Sequence, residues 1–335
     1  MTRRAQLKRL SSLAKAALGR WGVAIGSVRL ITHWENTVYD VRGVDGRRWA
    51  LRIHREGYQS EASIRGELWW LSSLRQAGEV PVPCAVVGRD GDCLQRVATT
   101  GIPEGRWCVL FEWVSGRFQS KRWGAASMGR LGELTARLHH HARGARLPQG
   151  CMRPRLDVEG TMGAGSVFGD PLALTELTDG DRALVERVRS GAAQVIESEL
   201  GGDGGGFFGL IHADLHRWNV LFEASRAKVI DFDDCGLGYF PYDAVVTLRQ
   251  IEAQPDAQAL TQAYFEGYGR VGSLEGWTER VLGALTVMDR VQSLAWVHSR
   301  RELEGMVKII PGVVRKARAV FEAFEDGRPW IRVPV

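Results

Sequence analysis

Apolar positions along the chain shift from mainly alternating to mainly helical spacing, and the shift predicts two regions. Leu7, Leu10, Leu13, Ala14 and Leu18 fall on one face of an opening helix. Residues 28–32, 37–42 and 48–53 then read as three strands, with Gly43-Val44-Asp45-Gly46 supplying the second turn. Helical spacing returns over residues 60–76 through Ile64, Leu68, Leu71 and Leu74, and Gly78 marks its end. After Pro81 and Pro83, strands are predicted at 85–88, 92–97 and 106–114, the first two joined at Arg89-Asp90-Gly91. This order describes a small α+β lobe over residues 1–115, with Ser115-Gly116 as the link to the second region.

From about residue 127 the pattern is helical. Helices are expected over 128–141 and 182–200, separated by an irregular excursion at 147–180 and followed by a glycine-rich loop at 201–206. Further helices are expected at 256–268, 276–301 and 306–326. One of them carries the apolar face Leu282, Leu285, Met288, Val291 and Leu294. Residues 116–335 thus form a mainly helical second lobe. No apolar run approaches the ~18 residues of a membrane span; the best, 107–111, is interrupted by Glu112. The formal charge of +5 and pI near 9.1 are spread along the chain and form no basic stripe, which argues against nucleic-acid binding. Five cysteines without a Cys-x-x-Cys pair suit a reducing, cytoplasmic setting and neither a disulfide framework nor a zinc site. The basic N-terminus lacks the apolar stretch of a secretory signal.

The chemistry is concentrated in residues 211–233. His212-x-Asp214-Leu215-x-x-x-Asn219 precedes the apolar run Val220-Leu221-Phe222; a short turn then leads to Val229-Ile230-Asp231-Phe232-Asp233. This stretch resembles the catalytic loop and metal-binding Asp of kinases, and the strand–turn–strand context is the one such a motif requires. In phosphoryl transfer one Asp aligns and deprotonates a hydroxyl, while an Asn and a second Asp hold Mg²⁺ against nucleotide phosphates.

With this loop, the two-lobed layout resembles the aminoglycoside phosphotransferase and choline kinase superfamily over residues 22–326. The resemblance implies an α+β, protein-kinase-like fold with a small antiparallel-sheet N-lobe, a helical C-lobe and ATP between them. It implies Asp214 as the catalytic base and Asn219 and Asp231 as Mg²⁺ ligands, oxygen donors as that cation prefers. His212 is given a supporting role for the backbone, and Asp243 is read as an anchor of the loop. Trp218 departs from the superfamily, which usually has Gly before the Asn. Arg52 stands at the usual Lys position of the third strand, with Glu67 as its partner on the following helix; a solvated helix charge is the alternative for Glu67. Arg keeps the charge but replaces a point donor with a planar fork. No G-x-G-x-x-G is present, and Asn36 and Thr37 stand in its place as phosphate contacts or as a plain polar turn. Glu112 and Val114 fall where the adenine-binding hinge is expected, with Phe111 behind. The His139-His140-His141 run reads as a helix-end cluster because adjacent helical residues face different ways. Trp69-Trp70 reads as core.

The expected activity is ATP- and Mg²⁺-dependent transfer of the γ-phosphate to a hydroxyl of a small molecule such as an amino-alcohol or an aminoglycoside-type antibiotic. A stress-response type of protein Ser/Thr kinase and a nucleotide-binding pseudokinase are the alternatives. Acceptor specificity is expected from residues 239–308 and the carboxylates just before them. Asp233, Asp234, Glu266, Asp289 and Glu302 are candidate amine contacts, in a region whose charge Arg270, Arg280, Arg290, Arg300 and Arg301 nearly balance.

Overall fold

The computed structural model describes residues 2–119, 122–201, 206–224, 226–303, 305–328 and 330–333. The chain divides into two compact units, Met1–Gly116 with Arg146–Arg153, and Arg117–Ala145 with Pro154–Val335.

The first unit holds α1 (Arg3–Leu18), β1 (Ile25–His33), β2 (Thr37–Gly43), β3 (Arg48–Ile53), α2 (Glu61–Ala77), β4 (Leu94–Thr99) and β5 (Ile102–Glu112). The strands form one antiparallel sheet in the order β1-β2-β3-β5-β4. Leu10, Leu13, Ala14, Ala17 and Leu18 of α1 pack on Leu51 and Ile53 of β3 and on Cys108 and Leu110 of β5. Side chains alternate across a strand, so Arg52 and Phe111 point to the opposite face. There Arg52 meets α2, which Ser60 caps at its start and Gly78, at φ 72°, terminates. Residues 146–153 belong with this unit because they strap across α2. The Met152 amide donates to Ala62 O at 3.0 Å, and Arg153 donates to the Ser63 carbonyl at 3.0 Å. A Cβ on Gly66 would meet Met152 O at 2.3 Å, so only glycine admits the strap.

The strand expected at 85–88 does not form. Ala85 makes an isolated bridge to Phe111, and the Val86 amide donates to Leu110 O at 2.7 Å. The chain then turns at Gly88–Asp92, leaving the edge of β5 to β4, which begins two residues later than expected.

The second unit comprises α3 (Ala125–Gly144), β6 (Arg155–Leu156), α4 (Val158–Met162), α5 (Asp179–Leu200), β7 (Phe208–Ile211), β8 (Val220–Glu223), β9 (Arg226–Val229), β10 (Gly236–Tyr239), α6 (Phe240–Leu248), α7 (Ala257–Gly269), α8 (Glu279–Ser299) and α9 (Met306–Glu325). The excursion expected to be irregular contains β6, α4 and a short 3-10 turn. Of the glycine-rich loop, Gly201 caps α5 at φ 73°, and residues 202–205 lie outside the described residues. β10 pairs parallel with β6 and antiparallel with β7, while β8 and β9 form a hairpin. α8 is buried on nearly every side and forms the centre of this unit. Among the described residues, no helix is long and apolar enough to cross a membrane.

α3 and α7 approach unusually closely, and glycine is the reason. A Cβ on Gly132 would lie 2.0 Å from Tyr264 O, and one on Gly267 would lie 1.9 Å from Gly129 O. That contact sets the depth at which His139 and Tyr268 meet.

Candidate active site

The loop between β7 and β8 carries Asp214 and Asn219, and α6 is its bed. Asp243, in the first turn of α6 and fully buried, accepts the His212 amide at 3.0 Å and the Ala213 amide at 2.7 Å. Thr247 Oγ1 donates to Leu215 O at 3.2 Å, and Arg217 donates to Gln250 O just past the helix at 3.2 Å. These bonds hold Ala213 at φ 63°, a left-handed backbone that a non-glycine residue adopts only when its surroundings dictate it.

His212 supports the loop from within. Its Nδ1 accepts the Asp214 amide at 3.2 Å and its Nε2–H donates to Ile230 O at 3.2 Å, a tautomer assigned from these partners. Burial pushes its pKa down to about 4, so the ring is neutral near pH 7. Asn219 ties the two halves of the motif together. Its Nδ2 donates to Asp214 Oδ2 at 2.8 Å and to Asp214 O at 3.0 Å, and its backbone carbonyl accepts the Ile230 amide at 2.9 Å. Asp231 follows directly, exposed and at φ 63°. Asp214 is half-buried, with His216 Nε2 at 3.5 Å; burial brings the His216 pKa down to about 4 as well. The structure therefore brings Asp214, Asn219 and the backbone leading into Asp231 together, all with oxygen donors. Among the described residues no cluster of three or more His, Cys, Asp or Glu is placed to hold a metal. Mg²⁺ commonly takes one or two protein carboxylates and completes its shell with phosphate and water.

In the first unit, Arg52 Nη2 lies 2.6 Å from Glu67 Oε2, both buried, and the guanidinium stands 5.0 Å from the centre of the Phe111 ring. Glu67 is thus no solvated helix charge. Thr37 is buried with its Oγ1 2.8 Å from His33 Nδ1, and Asn36 Oδ1 accepts the Arg55 amide at 3.4 Å. Glu112 ends β5, its exposed carboxylate 3.3 Å from Arg75, and Val114 follows half-buried.

The remaining acidic candidates are scattered. Asp233 is buried and Asp234 half-buried in the turn before β10, while Glu266 is exposed on α7 beside Gln262 and Glu302 is exposed beyond α8. Asp289 is buried on α8, with its Oδ1 2.6 Å from Arg249 Nη1. Arg249 itself, the cap residue of α6, was not singled out by the sequence motif. Its Nη2 lies 4.0 Å from Asp214 Oδ1. His139, read from sequence as part of a helix-end cluster, is instead fully buried, with Nε2–H donating to Asp243 at 3.1 Å and Nδ1 accepting from the Tyr268 hydroxyl at 2.9 Å. Its signal was the buried stripe Met128, Gly132, Thr135, His139 and Ala142, spaced by three and four. Trp218 and Phe118, both exposed, meet edge-on at 5.9 Å beside Asn219.

A family model described as the phosphotransferase enzyme family matches residues 27–280, most of the chain. The chain belongs to that family. Among solved structures, this phosphotransferase is similar to a microcompartment-associated aminopropanol kinase, with 29% identity, a TM-score of 0.84, and coverage of 96% of this chain and 99% of that one. It is also similar to an amicoumacin kinase solved in complex with AMP-PNP and Ca²⁺, at 20% identity and TM-score 0.76, covering 99% and 98% of the two chains. The amicoumacin kinase of Bacillus subtilis (strain 168) is 24% identical over 282 residues, 78% of this chain and 77% of that protein. The α+β kinase-like fold expected from sequence, with its antiparallel sheet followed by a mainly helical region, is the fold of this phosphotransferase.

Proposed function

We propose that this phosphotransferase moves the γ-phosphoryl group of ATP onto the hydroxyl of a small amino-alcohol. The observation that carries the reading is the Asp214 carboxylate, held by Asn219 on a loop that Asp243 and His212 lock from below. In this reading the acceptor O–H gives its proton to Asp214 as the new O–P bond forms. The bond from the γ-phosphorus to the bridging oxygen breaks, and ADP leaves with those electrons. Asn219 and Asp231 would hold Mg²⁺, which neutralises charge on the phosphate oxygens. Residues 1–115 would form the nucleotide-binding lobe, with Arg52, fixed by Glu67, on the phosphates and the backbone of Glu112 and Val114 on adenine. Asn36 and Thr37 would add phosphate contacts. Residues 116–335 would supply the base, the metal ligands and the acceptor site, with Asp233, Asp234 and Glu266 as amine contacts. Asp289 is engaged by Arg249 and would serve the base instead.

The likeness to aminopropanol kinase supports an amino-alcohol acceptor, and the likeness to amicoumacin kinase supports a small molecule over a protein. The test is ADP release from Mg²⁺-ATP with 1-amino-2-propanol, ethanolamine, choline, pooled aminoglycosides and a Ser/Thr protein substrate, with Asp214→Asn as control. Turnover with an amino-alcohol that is lost in the variant is the expected result. Turnover with only the aminoglycosides or the protein would replace the acceptor class. Nucleotide binding without turnover on any of them would overturn the assignment in favour of a binding module.

A further inference from the structure

Helix α6 touches the catalytic loop at both ends. Its first turn holds the loop backbone through Asp243, and its cap residue Arg249 faces the Asp214 side chain. The Arg249 guanidinium is shared unequally between two carboxylates. It stands 2.6 Å from Asp289 and 4.0 Å from Asp214. Asp289 is itself secured: Arg290 lies 3.7 Å from its other oxygen, Arg290 bonds Glu252, and Lys316 reaches Glu252 at 3.6 Å. Burial alone would lower the pKa of Arg249, but Asp289 and then Asp214 outweigh it, so the guanidinium keeps its charge.

A guanidinium not held elsewhere would close on Asp214 as a two-pronged pair, the favoured Arg–carboxylate geometry. That pair would occupy the oxygens a base needs for its proton, since Oδ2 already accepts from Asn219. We propose that Asp289 is a positioning residue which holds Arg249 off Asp214. Arg249 then supplies a fixed positive charge beside the base while its N–H groups stay back from Oδ1, where the acceptor hydroxyl would come. The inference rests on the proposed role of Asp214 and identifies what keeps Arg249 from pairing fully with that carboxylate. It also explains a charged pair on the buried face of α8, where apolar residues would pack at lower cost.

The experiment is a double-mutant cycle of Asp289→Asn and Arg249→Met in the full chain, with steady-state kinetics against ATP and against the best acceptor. Asp289→Asn lets Arg249 close on Asp214, and kcat is expected to fall about 10²-fold, the scale of a small misplacement of a reacting group. KM for ATP should stay unchanged. In the double variant the obstructing cation is gone, so kcat should exceed that of Asp289→Asn alone. Arg249→Ala should regain part of its lost kcat when millimolar guanidinium is added, because Asp289 still marks the seat. This rescue serves where Asp289→Asn does not fold. An unchanged kcat in Asp289→Asn, losses that simply multiply in the double variant, or no guanidinium rescue would each overturn the proposal. Failure of the underlying activity is separable, because it would show as wild-type protein without turnover.

Discussion

His139 on α3 and Asp243 on α6 lie 3.1 Å apart and fully buried, and through them helix packing is transmitted to the loop that carries Asp214. Asp243 takes one hydrogen bond from the imidazole and two from the His212 and Ala213 amides. Its negative charge is compensated by donors, since burial holds His139 neutral against the pull of Asp243. Asp243→Asn turns an acceptor-only group into one with two N–H donors, which must oppose a loop amide or the imidazole N–H. The expected cost is about 3 kcal/mol of stability, measured by urea unfolding, together with a large loss of kcat. His139→Phe keeps the stacking on Phe240, whose ring is 4.7 Å away, but removes one donor; it should cost about 1–3 kcal/mol.

His139 also meets Tyr268 of α7, and the depth of that contact depends on glycines. Gly132→Ala would place a methyl 2.0 Å from the Tyr264 carbonyl oxygen, a clash with backbone that no rotamer relieves. The helices must part, and the expected loss is about 3 kcal/mol, at the upper end for overpacking. Gly144, at the end of the same helix, has nothing within 4 Å of an added Cβ. Gly144→Ala should therefore be neutral or slightly stabilising, by up to ~1 kcal/mol. Thermal unfolding of the two variants side by side separates packing from propensity, and equal effects would refute the close-contact account.

How much of this was legible in the sequence depended on the range over which each residue acts. The strand with Arg52 and the helix with Glu67 were readable because period-two and period-3.6 patterns are local, and the pair itself followed from resemblance to kinases. The loop from His212 to Asp231 was readable because its chemistry fixes the spacing. Helix α6 was overlooked, although Pro241 and Asp243 at its start are the marks of a helix N-terminus. The partnership of Arg249 with Asp289 was beyond reach, since forty residues separate them and charge alone does not reveal burial. For the same reason Asp289 read as a candidate amine contact, although it is buried against Arg249. The misplaced strand at 85–88 shows the opposite failure. Val86 and Val87 have strand propensity, but pairing with β5 stops after Val86.

Arg52 and Glu67 offer a prediction with separate readouts for stability and binding. Both side chains are buried at 2.6 Å, so removing one leaves the other charged in a low-dielectric setting. Arg52→Met should destabilise the protein by about 3–5 kcal/mol and weaken ATP binding, seen by calorimetry. Arg52→Lys keeps the charge and should retain most stability. If Arg52 contacts phosphate through its fork, the Lys variant will raise KM for ATP while leaving KM for the acceptor unchanged. An unaltered KM for ATP would leave the pair a purely structural element.

The His212 ring makes stability depend on pH with a defined sign. Its pKa is brought down to about 4 by burial, opposed by the Asp243 charge, whereas the unfolded chain titrates near the ordinary histidine value of about 6.5. Above about pH 6.5 neither state holds the proton, and the contribution is fully present. As pH falls toward about 4 the unfolded state takes up a proton that the native ring refuses, and stability declines by up to ~1.4 kcal/mol per pH unit from this group. His212→Gln removes the titrating group, so its urea midpoint should fall less steeply than wild type over that window. Some slope will persist, because burial also depresses the pKa of His139 and His216. Parallel slopes for wild type and variant would show that protonation of His212 is not linked to folding, and that burial does not hold the ring neutral.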